Sequence, residues 1–83
     1  MKLFLVNINE ILPRHIELIS PERAEKARRY RFPDDRKRSI AAGLLLKRFV
    51  GEERIFTDKS GKPRAEGVCF NLSHSGGWAA LAV

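Results

Sequence analysis

From Asp34 or Asp35 to Gly51, apolar residues return at Ile40, Ala41, Leu44, Leu45 and Phe49, a spacing that keeps them on one side of an α-helix. A stripe this broad is core, so the rest of the chain must supply an apolar face to cover it. Gly51 is the stop signal, because a glycine just past the last turn accepts the backbone that closes a helix. Gly43, inside the stripe, is either a point of close packing or a tolerated glycine.

The covering face comes from strand-like runs. Lys2 to Ile8 is one, and Val68 to Leu72 and Trp78 to Val83 are two more, with a small polar Ser73-His74-Ser75-Gly76-Gly77 turn between them. Arg54 to Thr57 reads as a short strand. Asp58-Lys59-Ser60-Gly61-Lys62-Pro63 has the composition of a tight turn whose backbone groups are open to a ligand. Asn9 to Ile19 is a turn or a short helix, interrupted by Pro13, with Ile11, Leu12, Ile16 and Ile19 able to form one buried side. Ser20-Pro21-Glu22 starts a further helix: the Ser hydroxyl accepts from an orphan N–H, proline suits the first position, and Glu favours the positive end of the dipole. That helix is expected to stop at Phe32, before Pro33. The pattern predicts a single α+β domain over residues 1–83, a small antiparallel sheet packed against two helices. Trp78 is expected in core or sheet packing, with an exposed ring free to stack as the alternative, and the apolar last strand would be better buried under further covering.

Charge narrows the partners. The 83 residues carry a net charge of +6, and +5 of it lies between Arg23 and Arg38, where eight basic residues meet only Glu25, Asp34 and Asp35 as acids. An anionic partner follows: nucleic acid, a phosphorylated small molecule or an acidic protein. For any single Arg or Lys, a solvated helix surface is the plain alternative. Arg36, Lys37, Arg38 and Ser39 occupy the first turns of the long helix, so basic groups from two helices converge at the junction. The Ser-His-Ser-Gly turn adds donors suited to an oxyanion. Ser73-His74 as a nucleophile and base is disfavoured, since neighbours in extended chain point to opposite sides and no acid follows to orient the imidazole. His15 reads as a structural residue. The one cysteine, Cys69, excludes an internal disulfide and reads as a small buried hydrophobe in a strand rather than a reactive thiol. No apolar run reaches the roughly 20 residues of a membrane span, and Met1 to Ile8 is too short for a secretory signal, so no membrane is expected and the cytoplasm is the expected compartment.

Four segments then match one family in order. Ser20-Pro21-Glu22-Arg23-Ala24-Glu25-Lys26-Ala27-Arg28-Arg29-Tyr30, Arg38-Ser39, Gly61-Lys62-Pro63, and Phe70-Asn71-Leu72-Ser73-His74-Ser75-Gly76 with Trp78 resemble the first lobe of 4′-phosphopantetheinyl transferases of the two-lobed, surfactin-synthetase-activating type. Such enzymes move phosphopantetheine from coenzyme A to a serine of an acyl or peptidyl carrier protein. The resemblance implies one lobe of their pseudo-dimer fold. It also implies contacts to coenzyme A: Arg23 and Lys26 at the phosphates, Arg38 and Ser39 at the 3′-phosphate, Lys62 beside the nucleotide where backbone reads the adenine, and Ser73 with His74 at the phosphates. Ser39 stands for a family threonine and Arg23 for a lysine in some relatives, which exchanges a point charge for a planar fork.

The same resemblance marks what these residues do not include. In the family an Asp-x-Glu element after the last strand binds Mg²⁺, and a second lobe supplies another metal ligand, a base and a lysine. No position here matches them, so the catalytic residues and the Mg²⁺ ligands are expected in a second lobe, in cis or in trans, and the isolated chain is expected to hold part of coenzyme A without catalysing transfer. The competing reading is a small basic nucleic-acid-binding module, with Tyr30 and Phe32 as stacking residues, although no nucleic-acid motif is present.

Overall fold

Helix α2 (Pro33–Phe49) is the beam of the fold, and Ile40, Ala41, Leu45 and Leu46 form its buried side. The computed structural model describes residues 2–51 and 54–83; Met1, the first residue of the N-terminal apolar stretch, lies outside them with Glu52 and Glu53. Phe32 is extended at the helix entrance, Pro33 takes the first helical position, and Asp34 and Asp35 sit in the first turn. At the other end the N–H groups of Val50 and Gly51 both donate to the Leu46 carbonyl at 2.9 Å. Gly51 has φ 101°, the left-handed backbone for which glycine is suited.

Strands β1 (Leu3–Asn7), β4 (Asn71–Ser75) and β5 (Trp78–Ala82) form an antiparallel sheet in the order β1-β5-β4. The last strand is therefore central. In its register Leu81 lies opposite Phe4 and Leu72, and Ala79 lies opposite Val6 and His74. Leu81 and Ala79 are buried, so this is the face covered by α2. Trp78, Ala80 and Ala82 fall on the open face with Leu3, Leu5 and Ser73. Trp78 is 48% exposed, not in the core as expected, because the alternation that buries Ala79 and Leu81 turns it outward.

Strands β2 (Ile55–Thr57) and β3 (Pro63–Ala65) pair with each other as a separate antiparallel hairpin, and Ala65 also bridges Val68. The α+β class holds, with a small antiparallel sheet against helices and this hairpin beside it.

Helix α1 (Pro21–Arg28) begins as the sequence predicts, with the Ser20 hydroxyl accepting from the Arg23 N–H at 3.3 Å. It ends four residues before Phe32. The N–H groups of Arg29 and Tyr30 close tight bonds to Lys26 and Ala27, and the Arg36 guanidinium donates to the carbonyls of Tyr30 and Arg31 at 2.8 and 3.2 Å. That side chain supplies the donors a longer helix would have provided. Between β1 and α1 the chain makes two 3₁₀ segments, Ile8–Glu10 and Pro13–Leu18. Ile8, Ile11 and Ile19 are buried from this stretch, whereas Leu12 is exposed because it lies just before Pro13 in extended backbone. His15 is structural: its Nδ1 accepts from the Leu12 N–H at 2.9 Å.

Two further expectations fail for one reason. Phe49 leaves the core and stacks on Phe4 at 3.6 Å between ring centroids, because Leu46 and Val50 already fill the inner side of the helix end. Cys69 is exposed and lies outside any strand, since Val68 and Phe70 on either side take the inward positions of extended chain. None of the described helices is long and apolar enough to cross a membrane.

Gly43 is a point of close packing. A Cβ there would lie 2.8 Å from Ile19 Cγ2 and 3.0 Å from Arg23 Cδ. Gly43→Ala is expected to overpack this contact at a cost of about 1–3 kcal/mol, partly offset by roughly 1 kcal/mol of helix propensity, for a net loss in urea unfolding. Equal stability would show that Ile19 yields freely. Leu81→Ala, at the fully buried centre of the sheet, is expected to cost about 2–5 kcal/mol.

Candidate functional site

Two clefts meet along α1. The smaller, about 170 Å³, lies between α1, the first half of α2 and strand β4, and its walls include Arg23, Lys26, Arg38, Ser39, Ser73 and His74. The larger, about 710 Å³, runs from α1 to the β2–β3 hairpin and shares Arg23 and Lys26 with the first. Six of the seven residues singled out in the sequence thus border one cleft. Lys62 does not; its neighbours Gly61 and Pro63 line the larger cleft, and Lys62 is exposed at that rim.

Local structure explains the convergence. Arg23 and Lys26 are one turn apart on α1 and face the same way. Arg38 and Ser39 sit in the second turn of α2, where the two helices cross. His74 lies on the helix-covered face of β4, an edge strand, opposite Ala79. Ser73 lies opposite Ala80 on the open face, so the pair points to opposite sides and Ser73 reaches the cleft only at the strand edge.

The donors differ in how they are occupied. Arg38 is a strut: its Nη1 donates to Asp35 Oδ1 at 2.9 Å, and its Nε and Nη2 donate to the Gly76 carbonyl at 3.2 and 3.0 Å. It ties the Ser-Gly-Gly turn to α2 and keeps two N–H groups for another acceptor. Arg23 and Ser39 are the reverse case. Arg23 Nε and Ser39 Oγ are buried with no hydrogen-bond partner among the described residues, and Ser39 is only 8% exposed. Burial pulls the Arg23 guanidinium below the usual arginine range, with Tyr30 opposing. An unpaired buried donor costs about 1–3 kcal/mol, more when charged.

The hairpin turn is open to a ligand only in part. Three of its backbone N–H groups are occupied: those of Ser60 and Lys62 donate to Asp58 Oδ1 at 2.9 Å each, and that of Gly61 donates to the Asp58 carbonyl at 3.0 Å. Arg64 Nε donates to Asp58 Oδ2 at 2.8 Å. Arg64, the Ser60 hydroxyl and the Lys62 N–H together hold the Asp58 carboxyl well below the usual carboxylate range. What the turn offers outward is carbonyls and ammonium groups. Tyr30 and Asp35 in the small cleft and Ile55 and Thr57 in the large one were not foreseen as wall residues. Asp58 has a readable signal, an aspartate two residues before a Ser-Gly pair. Among the described residues there is no group of three or more His, Cys, Asp and Glu side chains that could hold a metal ion.

No protein-family profile matches the chain. It is similar to the 4′-phosphopantetheinyl transferase Sfp of Bacillus subtilis (strain 168), 31% identical over 80 residues that cover 83% of this chain and 36% of that protein. The chain therefore spans little more than a third of the curated relative it matches. Its α+β architecture is compatible with one lobe of such a transferase.

Two outcomes follow from the geometry. Ser39→Ala removes an orphan hydroxyl, so the ligand-free chain is expected to keep or slightly raise its stability in urea unfolding; a loss above about 1 kcal/mol would mean that the hydroxyl has an internal partner. For Asp58 the folded carboxyl titrates below its unfolded value near 3.8. Its contribution is therefore present above about pH 4 and is lost as pH falls through the lower folded value. Asp58→Asn is expected to flatten that part of the stability curve, measured by unfolding between about pH 5 and pH 2.

Proposed function

We propose that this chain is the coenzyme A-holding lobe of a 4′-phosphopantetheinyl transferase, and that a second lobe, in cis or in trans, completes the enzyme that acts on a serine of an acyl or peptidyl carrier protein. One observation supports this above the others: Arg23, Lys26, Arg38, Ser39, Ser73 and His74, drawn from three separate elements, border one cleft that contains two buried donors lacking acceptors. Similarity over most of the chain to a transferase of this kind supports it independently.

In this reading the chain's residues bind and orient. Arg38 and Ser39 hold the 3′-phosphate, with Ser39 donating its hydroxyl proton and Arg38 its two remaining N–H groups. Arg23 and Lys26, shared by both clefts, follow the phosphates from one into the other. His74 and Ser73 contribute from the strand edge. The larger cleft takes the nucleoside, where Lys62 stands at the rim and the carbonyls of its turn suit the amino group of adenine. Mg²⁺, when bound in the complete enzyme, would neutralise pyrophosphate charge; its ligands, with the groups that activate the serine, are assigned to the second lobe. The chain by itself holds the donor substrate and leaves its pantetheine arm free for that lobe.

Calorimetric titration of coenzyme A into the 83-residue chain tests this. Lys26→Ala, His74→Ala and Ser39→Ala are each expected to weaken binding about tenfold, equivalent to roughly 1.4 kcal/mol. With Mg²⁺ and an apo carrier protein added, no phosphopantetheine-sized mass gain is expected. Absence of coenzyme A binding, together with tight binding of a short RNA or DNA whose affinity falls steeply with salt, would replace this reading with the nucleic-acid one.

A further inference from the structure

We infer that Asp58 is a positioning residue for ligand binding: its carboxylate sets the shape of the Lys59-Ser60-Gly61-Lys62 turn and thereby holds Lys62 at the rim of the larger cleft. The identity of the ligand rests on the coenzyme A reading; the device itself rests on geometry. A single side chain gathers the whole turn. Asp58 Oδ1 accepts from the Ser60 N–H, the Ser60 hydroxyl and the Lys62 N–H at 2.9, 2.7 and 2.9 Å, and Oδ2 accepts from Arg64 Nε at 2.8 Å. The Asp58 backbone closes it, donating to the Lys62 carbonyl at 2.9 Å and accepting from the Gly61 N–H at 3.0 Å. Gly61 is at φ 84°, a conformation that this network requires of the turn.

Two features make this more than a local turn. The β2–β3 hairpin pairs with no strand of the main sheet, and two-stranded hairpins by themselves are marginally stable. The hairpin is anchored at its base by buried Ala65, by Ile55 packed against the core and by the Ala65–Val68 bridge, so at its tip the Asp58 network supplies order that neighbouring strands supply elsewhere. Gly61 and Pro63 also form the wall facing Arg23 and Lys26, so a change of turn shape is a change of cleft shape. The charges are sorted as well. Asp58 spends its ion pair on Arg64, while Lys62 Nζ makes no hydrogen bond or ion pair among the described residues. The cation at the rim is left for an anion from outside.

The Asp58→Asn substitution keeps the size and the Oδ1 acceptor but replaces Oδ2 with an amide N–H₂ that confronts the Arg64 donor. Coenzyme A, with inorganic pyrophosphate as a second probe, is titrated into wild type, D58N, K62A and the D58N/K62A double variant. Amide hydrogen exchange at Ser60 and Lys62 is followed by NMR in the free chains. D58N and K62A are each expected to raise Kd about tenfold, and the double variant no more than about twofold beyond either, because both remove one arrangement. Exchange at Ser60 and Lys62 is expected to quicken in D58N with the amides of β1 and β5 unchanged, which a general loss of folding would not produce. Wild-type affinity in D58N, losses that multiply in the double variant, or unaltered exchange would each overturn the inference. Binding of pyrophosphate but not coenzyme A, with the same dependence on Asp58, would sink the coenzyme A reading and leave the positioning role standing; no response to either probe would overturn both.

Discussion

Where α1 crosses α2, glycine at position 43 brings Ile19 and the stem of Arg23 against the backbone of the long helix. The buried side chains of α1, Ala24 and Ala27, are small as well, which permits the approach. The consequence is electrostatic. A guanidinium held this close to a helix surface loses water, and neither helix offers its Nε an acceptor. Ser39 is buried beside the same cleft with its hydroxyl equally unpaired. The helix crossing that stabilises the domain thus creates a corner whose buried polar groups have no hydrogen-bond partner among the described residues.

Two of the chain's acids are paired with arginines at turns. Asp35 pairs with Arg38 and Asp58 pairs with Arg64, and in each case the pair holds a turn: Arg38 continues to the Gly76 carbonyl, and Asp58 collects the hairpin amides. The cations so engaged shape the walls. Arg23 and Lys26, which join the two clefts, are in no ion pair among the described residues. A net charge of +6 is therefore a poor guide to function until one knows which cations are occupied.

Local signals were legible where a few adjacent residues decide the outcome. Ser20-Pro21 marks a helix start because capping and the proline ring act within one turn, and Gly51 marks a stop for the same reason, whereas Pro33, read as the boundary after the first helix, is itself the first residue of α2. The end of α1 was not legible. It depends on the Arg36 side chain reaching back to the carbonyls of Tyr30 and Arg31, a contact between two elements. Phe49, Cys69 and Trp78 were misplaced because hydrophobic character states a preference for burial, while occupancy is settled by competition: Leu46, Val68 with Phe70, and Leu81 took the inward positions. Gly43 carried two readings until the crossing at Ile19 and Arg23 separated them.

The residue types of the candidate site, their order along the chain and the class of fold were set by the amino-acid sequence, since charge, hydrogen-bonding capacity and hydrophobic period are properties of single residues and short windows. Tertiary structure decided which of those groups share a cleft, which are already bonded, and which are left without partners. Arg38 and Arg23 are the same side chain on neighbouring helices, yet one is fastened to Asp35 and Gly76 and the other is buried with an empty Nε. That difference comes from distances between elements far apart in the chain, and no local pattern encodes them.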